Sequence, residues 1–349
     1  MPSRDAAIVA FLASNGWDNA SRSTLADDAS FRRYERISDG GRTVVLMDAP
    51  PPKEDVRPFT KIAGHLIELG FSAPRILAED SETGLLLLED FGDDTFTRAL
   101  ASAPETEWEA LEERLYASAT DVLSDLHNRS GEDALPVNLP RYTMDRYLDE
   151  VLLLTDWYQP AITGQVISAE NRAAYTTAWQ GALKPVLATE PTLVLRDYHV
   201  DNLVWLPSRD GVQRCGLLDF QDALAGPAAY DLMSLLEDAR RDIRLALRDR
   251  MWRRYISAMP NLREPGPARD QFETVFAILA AQRHAKVIGI FTRLCVRDAK
   301  PDYLVHIPRV WKLLEANLRH PALASVAEWM NTHLPADRRG IPNSAMAET

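Results

Sequence analysis

Cysteine is scarce in this chain: Cys215 and Cys295 are the only two among 349 residues. Neither stands at metal-ligand spacing, and two such thiols would pair only by accident of fold. A disulfide framework and a structural zinc site are therefore not expected, and both thiols are read as reduced. Long apolar runs are also lacking, with none reaching the roughly 18 residues of a membrane span. The short run Ala6–Ala13 follows Arg4 and admits a signal-peptide reading. Asp5 lies against it, however, and Ser3 and Gly16 bracket it as cap and terminator, which favours a short amphipathic helix and a cytoplasmic address. Positive charge is in deficit, with 39 Lys and Arg against 51 Asp and Glu and a net charge of −12. A field of that sign repels phosphate backbones, so nucleic acid is not an expected partner; without an apolar span, neither is a membrane. A nucleotide is not excluded, because a local cation or metal ion can reverse the average.

What is present fits a globular enzyme, with 46% hydrophobic and 26% charged residues. The length allows two ordinary domains or one domain with two lobes. After the first helix and a polar stretch, Asn19–Ser30, two strands are expected at Phe31–Ile37 and Arg42–Asp48, joined through Ser38-Asp39-Gly40-Gly41. Asp-Gly and Gly-Gly pairs supply the positive φ of tight hairpins. Residues 57–70 read as a helix, and Arg75–Ala78 and Leu85–Leu88 as further strands. Beyond about residue 90 helical periodicity dominates, over 105–128, 141–157, 169–188, 228–259, 268–295 and 308–332. Only about 193–219 reads as strand there. The organisation predicted is α+β: a strand-rich N-lobe (1–90), a large mainly helical C-lobe (91–335) and a loosely ordered tail (336–349).

The chemistry concentrates in Leu193-Val-Leu-Arg-Asp197-Tyr-His199-Val-Asp201-Asn202-Leu-Val-Trp-Leu206 and Gly216-Leu-Leu-Asp219-Phe220. If Asp210-Gly211 centres a hairpin between two short apolar strands, Asn202 and Asp219 become cross-strand partners. A slip of one residue would still leave both at its open end. A carboxylate and an amide oxygen held together suit Mg²⁺, with phosphate and water completing its shell. Asp197, one loop upstream, can reach a hydroxyl aligned with a γ-phosphate.

These residues resemble the catalytic and metal loops of kinases. Asp197 with Asn202 matches D-x-x-x-x-N, and Leu218-Asp219-Phe220 matches the metal-binding strand end. Arg196 stands where aminoglycoside phosphotransferases commonly have Gly. The segments Ala29–Tyr34, Leu46–Pro51, Leu153–Tyr158, Gln282–Lys286, Ile288–Arg293 and Arg297–Tyr303 are similar to one bacterial branch, the anomeric kinases of N-acetylmuramate and N-acetylglucosamine in cell-wall recycling. The resemblance covers nearly the whole chain. It implies the two-lobed, protein-kinase-like aminoglycoside-phosphotransferase fold, ATP and Mg²⁺ as cofactors and a small amino sugar as acceptor. Asp197 would be the catalytic base, with Asn202 and Asp219 as metal ligands.

The chain departs from the kinase pattern in two places. No Gly-x-Gly-x-x-Gly loop exists, and the strand expected to carry a phosphate-binding Lys reads Val44-Val-Leu-Met47-Asp48. Its usual Glu partner is missing too, since the following helix offers only Glu68, near its end. Ser30 with nearby backbone N–H groups, and Arg32 or Arg33, are candidates to hold the triphosphate; both arginines could instead be solvated strand-edge charges. Glu89-Asp90-Phe91 fits a hinge whose backbone binds adenine. For the acceptor, Trp157 and Tyr158 could wall the site or belong to the core, and Arg240 and Arg283 could supply the cation a lactyl carboxylate needs. The run Glu237–Arg244 otherwise reads as a solvated helix face. His199 is read as fixing the catalytic loop, and Asp231 as a structural brace of the metal loop. Two competitors stand beside this reading: a kinase of another alcohol, such as an aminoglycoside or choline, and a pseudokinase binding module.

Overall fold

The computed structural model describes residues 3–27, 31–130 and 134–342. The chain divides into two compact units: Met1–Asp125 with Asp197–Ala223, and Leu126–Arg196 with Leu224–Thr349.

In the first unit, helix α1 (Arg4–Ser14) is capped by Ser3, whose hydroxyl accepts from the Ala6 N–H. Strands β1 (Ser21–Asp27), β2 (Arg33–Asp39), β3 (Arg42–Asp48), β4 (Ile76–Asp80) and β5 (Leu85–Glu89) form one sheet in the order β1-β2-β3-β5-β4. The β2–β3 hairpin closes on Gly40 and Gly41, both at positive φ (55° and 84°), with Asp39 opposite Arg42. This is the two-residue turn that Gly-Gly predicts. Side chains alternate across β3. Val44 and Leu46 pack with Ile37, Leu85 and Leu87 against Ile8, Phe11 and Leu12 of α1. Val45 points to the other face and lines a cavity. Helix α2 (Arg57–Glu68) buries Phe59, Ile62, Ala63 and Leu66. Helices α3 (Phe96–Ser102) and α4 (Glu105–His127) follow.

The second unit is mainly helical. It contains α5 (Met144–Leu153), a π-helical turn (Leu154–Tyr158), α6 (Gln159–Thr163), α7 (Ala169–Ala182) and α8 (Lys184–Leu187). Strand β6 (Thr192–Val194) leads into the catalytic segment. The chain then enters the first unit for β7 (Leu203–Trp205) and β8 (Cys215–Leu217) before returning as β9 (Leu224–Gly226), the antiparallel partner of β6. Helices α9 (Ala229–Leu236), α10 (Leu245–Ala258), α11 (Pro267–Asp298), α12 (Ile307–Asn317) and α13 (Ala324–His333) complete the unit. By length and composition α11 could cross a bilayer, but 78% of its most apolar window is buried in the fold. It passes so close to α5 that a Cβ on Gly289 would lie 2.3 Å from the Leu153 carbonyl carbon.

Several elements differ from the sequence reading. The polar stretch after α1 contains β1, an edge strand whose first four residues are exposed. The helices expected over 228–259 and 308–332 are each broken in two. Glu237–Arg244 is not helical, and Glu237 and Asp238 are buried rather than solvated, at 4% and 3% exposure. Glu237 accepts from Asn317 Nδ2 at 2.7 Å and lies 2.9 Å from His284 Nε2. Burial costs this carboxylate its solvent, but His284 and Arg248 beside it hold its pKa below the usual range. Of the tail, residues 336–338 form a 3₁₀ turn, and Tyr158 bonds to the backbone of Arg338 and Gly340; residues 343–349 lie outside those described. The 1–90 and 91–335 division remains a proposal about function, distinct from these packing units.

Two expectations follow. Gly289→Ala should force α11 off α5 and cost about 1–3 kcal/mol or more, because overpacking here meets backbone, read as a lowered Tm. Burial depresses the pKa of His127 from 6.5 to about 3, so the folded state holds it neutral while the unfolded state protonates below about pH 6.5. Its contribution should therefore fall by up to about 1.4 kcal/mol per pH unit as pH drops below that point. Denaturant titrations should show the wild type losing its margin over His127→Gln on acidification.

Candidate active site

Asn202 occupies the centre of the predicted constellation. Its amide Nδ2 donates to the Asp197 carbonyl oxygen at 2.9 Å and lies 3.3 Å from Asp219 Oδ2 and 3.3 Å from His199 Nε2. A carbonyl can only accept, so this contact fixes which amide atom is nitrogen and turns Oδ1 the other way. The β7–β8 register differs by one residue from the expected pairing: Leu203 faces Leu217, and the Leu218 N–H donates to the Asn202 carbonyl at 3.0 Å. The chain between the strands contains a 3₁₀ turn, Gly211–Arg214, rather than a tight turn centred on Asp210-Gly211. Asp219 still reaches Asn202 because it adopts a left-handed conformation (φ 56°) just beyond the strand. Gln221 Nε2 donates to its Oδ1 at 2.7 Å.

The catalytic segment is braced from several sides. The Tyr198 hydroxyl donates to the Ala119 carbonyl at 2.8 Å. His199 is buried, and its carbonyl accepts from the Asn202 N–H at 2.9 Å, consistent with a loop-fixing role. Within the second unit, Asp231 is fully buried and accepts the N–H groups of Leu195 (2.6 Å) and Arg196 (2.9 Å). It thus braces the entry to the segment that carries Asp197. Arg196 has φ 71°, a conformation more natural to Gly than to a residue with a side chain. Its side chain donates to Glu150 at 2.6 Å, and Lys286 donates to the same oxygen at 2.9 Å. Burial works against the Glu150 charge, but Lys286 and Arg196 hold its pKa low. Sequence reading missed Glu150 and Lys286, because a single acid and a single lysine on distant helices carry no local pattern.

The first unit contains a cavity of about 490 Å³ lined by Leu25, Val45, Leu88, Val204 and Leu218, together with Glu89, Asp90, Phe91, Asn202 and Asp219. Apolar walls with a few polar groups at one end suit a flat heterocycle carrying a charged tail. The side chains of the expected hinge are committed elsewhere. Glu89 pairs with Arg209 (2.6 Å) and Arg75 (3.1 Å), and Asp90 with Arg36 (2.7 Å). The Phe91 ring lies under Arg209, 5.0 Å from its guanidinium carbon. Any contact this stretch makes with a ligand would thus fall to its backbone.

Among the other candidates, Arg32 Nη2 lies 3.6 Å from Asp219 Oδ1, whereas Arg33 is exposed. Ser30 lies outside the described residues. The acceptor candidates all lie in the second unit. Tyr158 takes the core alternative, being fully buried against Trp311, while Trp157 is half-buried. Arg240 is half-buried, 5.9 Å from the Phe291 ring, and Arg283 is 5% exposed.

The donors fit a divalent ion of the magnesium type. Asp219 offers carboxylate oxygens and Asn202 an amide oxygen, hard donors on two residues that both line the cavity. Among the described residues no group of three or more His, Cys, Asp or Glu forms a self-sufficient metal cage. Two protein oxygens complemented by phosphate oxygens is the usual Mg²⁺ arrangement at nucleotides.

This cavity, closed by a carboxylate–amide pair one loop from a second carboxylate, defines a phosphotransferase. The chain belongs to the phosphotransferase enzyme family, whose profile matches residues 21–266. Over 96% of its length it is 33% identical to an N-acetylmuramate/N-acetylglucosamine kinase of Caulobacter vibrioides, covering 98% of that protein. A Pseudomonas aeruginosa protein of the same name is 37% identical over 93% of both chains. The fold matches a solved GDP complex of aminoglycoside 2′-phosphotransferase-IIIa with a TM-score of 0.57 at 15% identity, over 89% of this chain and 97% of that one. The α+β aminoglycoside-phosphotransferase fold, with a strand-rich N-terminal sheet and a mainly helical C-terminal part, is thereby established, and nucleotide use belongs to it.

The hinge gives a direct test. A Cβ on Gly216 would lie 2.9 Å from the Phe91 ring and 3.1 Å from Leu206 Cδ1. Gly216→Ala should displace Phe91 at a cost of about 1–3 kcal/mol. Steady-state kinetics should show the nucleotide KM raised about 5–100-fold, with kcat changed far less.

Proposed function

We propose that this chain transfers the γ-phosphoryl group of ATP to the anomeric hydroxyl of N-acetylmuramate or N-acetylglucosamine, as a cytoplasmic step in the recycling of peptidoglycan sugars. The observation that carries the reading is the linkage of Asp197, Asn202 and Asp219 through one amide at the wall of a nucleotide-sized cavity. The name shared by relatives aligned over nearly the whole chain supports the choice of acceptor.

Asp197 is the base: it accepts the proton of the acceptor hydroxyl and orients that oxygen toward the γ-phosphorus. An anomeric hydroxyl is more acidic than an ordinary alcohol, so a carboxylate suffices. Asn202 keeps the Asp197 backbone in place and turns its own oxygen toward the phosphates. Asp219 supplies the anionic ligand. Mg²⁺ bound there would neutralise phosphate charge and align the leaving group. The hinge backbone at Glu89–Phe91 holds the base of the nucleotide. Arg240 and Arg283 are proposed sources of the cation that a lactyl carboxylate calls for, and Trp157 of an apolar acceptor contact.

Asp197→Ala should lower kcat by about 10²–10⁴ while the ATP KM changes little; a loss of less than about fivefold would remove Asp197 from the role of base. The substrate assignment is tested by coupled ADP release over N-acetylmuramate, N-acetylglucosamine, choline and aminoglycosides. Turnover confined to the last two would replace the acceptor. Nucleotide binding with no turnover on any of them would favour the binding-module reading.

A further inference from the structure

We infer that Arg209 is a positioning residue of the nucleotide site: it fastens the proposed hinge, Glu89–Phe91, to the β7–β8 hairpin without touching the ligand itself. The inference rests on the phosphoryl-transfer reading for its ligand, and every residue it uses lies in the first unit.

Glu89, Asp90 and Phe91 line the cavity. The ladder between β3 and β5 ends at the Val44–Glu89 pair. Past that point, among the described residues, no backbone hydrogen bond engages the N–H or carbonyl of Asp90 or Phe91. Backbone groups of this kind at an apolar wall can read the edge of a heterocycle. They can do so only if they are held in place, because binding groups must be fixed to within about 0.5 Å of the productive geometry. With no sheet partner past Glu89, the hold must come from elsewhere.

Arg209 supplies it. The residue lies in the chain between β7 and β8 and does not itself line the cavity. Its Nη2 donates to Glu89 Oε1 at 2.6 Å and its Nη1 to Ser72 Oγ at 2.7 Å. The guanidinium carbon stands 5.0 Å from the centroid of the Phe91 ring. The same ring meets Gly216 of β8, where a Cβ would come within 2.9 Å of Phe91 Cδ2. Phe91 is thus seated against both the loop and a strand of one hairpin. Ser72 is a fixed anchor: it is buried, its Oγ donates to the Gln213 carbonyl at 2.7 Å, and its carbonyl accepts the Leu217 N–H at 2.7 Å. The backbone of Arg209 is held as well, its N–H donating to the Leu206 carbonyl at 3.1 Å and its carbonyl accepting Arg214 Nε at 2.8 Å. Ion pairs at a surface ordinarily contribute little. Here the Glu89 side chain is only 16% exposed. The planar group is also fixed along one edge by two acceptors and on one face by a ring, which leaves it little freedom. The hairpin so fastened carries Asn202 directly before β7 and Asp219 just beyond β8. Arg209 therefore sets the distance between the wall proposed to receive the base and the residues proposed to hold metal and phosphate.

Such a clamp acts on the base end of a nucleotide and not on its phosphates, which separates it from a merely structural role. In the full-length protein with Mg²⁺ present, isothermal titration calorimetry should show Arg209→Ala binding the non-hydrolysable ATP analogue AMP-PNP about 5–50-fold more weakly than wild type. Tripolyphosphate, which lacks a base, should keep its affinity within about twofold. Arg209→Lys can retain the Glu89 contact but neither the fork to Ser72 nor the flat face, so it should recover only part of the AMP-PNP affinity. Glu89→Gln should weaken AMP-PNP binding in the wild-type background and add little to Arg209→Ala, because the two residues act through one contact. An unchanged AMP-PNP affinity in Arg209→Ala, or equal losses for AMP-PNP and tripolyphosphate, would overturn the inference alone. A wild-type protein that binds AMP-PNP no better than tripolyphosphate would overturn it together with the hinge assignment. No acceptor enters these titrations, so failure to phosphorylate any amino sugar would strike the proposed function and leave Arg209 in its role.

Discussion

The Asn202 amide is the constraint on which the site depends. One NH₂ group serves the Asp197 carbonyl and lies within 3.3 Å of both Asp219 and His199. It therefore sets the separation between the segment that carries Asp197 and the chain just beyond β8 at Asp219. A carboxylate in its place would offer only acceptors, facing a carbonyl oxygen and a second anion. The same atoms would then repel, and the segment from Asp197 to Asn202 would lose its inner fastening. The backbone bond from Leu218 N–H to the Asn202 carbonyl repeats the connection one layer down, so the linkage does not rest on a single side chain.

Around this pin the chain tolerates strain at two non-glycine positions, Arg196 and Asp219, both in the left-handed region. Each such residue costs on the order of 1–3 kcal/mol unless its surroundings enforce it. The enforcement is visible. At Arg196 the backbone N–H is held by buried Asp231 and the guanidinium by Glu150, itself stabilised as an anion by Lys286. At Asp219 the side chain is held by Gln221 and approached by Asn202. Arg196 thereby gains what glycine cannot have, a charged tether into α5 and α11, in exchange for a less comfortable φ. Strain placed directly before Asp197 and at Asp219 fixes the direction in which each carboxylate leaves the backbone.

Much of the fold was legible where local chemistry is strong. Gly40-Gly41 announced the β2–β3 turn, Ser3 the start of α1, and the D-x-x-x-x-N pattern at Asp197–Asn202 the phosphotransferase family. The register of β7 and β8 was off by one because loop conformation, unlike strand pattern, leaves little trace in composition. Strand β1 escaped because Ser21–Asp27 is an edge strand of mostly polar residues, whose pairing with β2 is a tertiary property. Glu237 and Asp238 were read as solvated from their neighbours in sequence. Their actual partners, His284, Asn317 and Arg248, lie on other helices.

The acidity of the chain bears less on its acceptor than composition implies. Around the cavity the acids are largely matched: Glu89 by Arg75 and Arg209, Asp90 by Arg36, and Asp93 by Arg36 and Arg98. The Asp90–Arg36 pair shows this balance. Burial alone would raise the pKa of Asp90, yet Arg36 and the Gly92 N–H lower it. Such pairs cancel at a distance, and the exposed charges elsewhere are screened beyond about 8–10 Å. A net charge of −12 is therefore no argument for a polycationic acceptor. The field felt by a substrate is set by the few groups within one screening length, and near Asp219 those include a guanidinium. The Arg32 guanidinium, 3.6 Å from Asp219, gives that end of the site a local polarity that the sign of the whole chain does not predict.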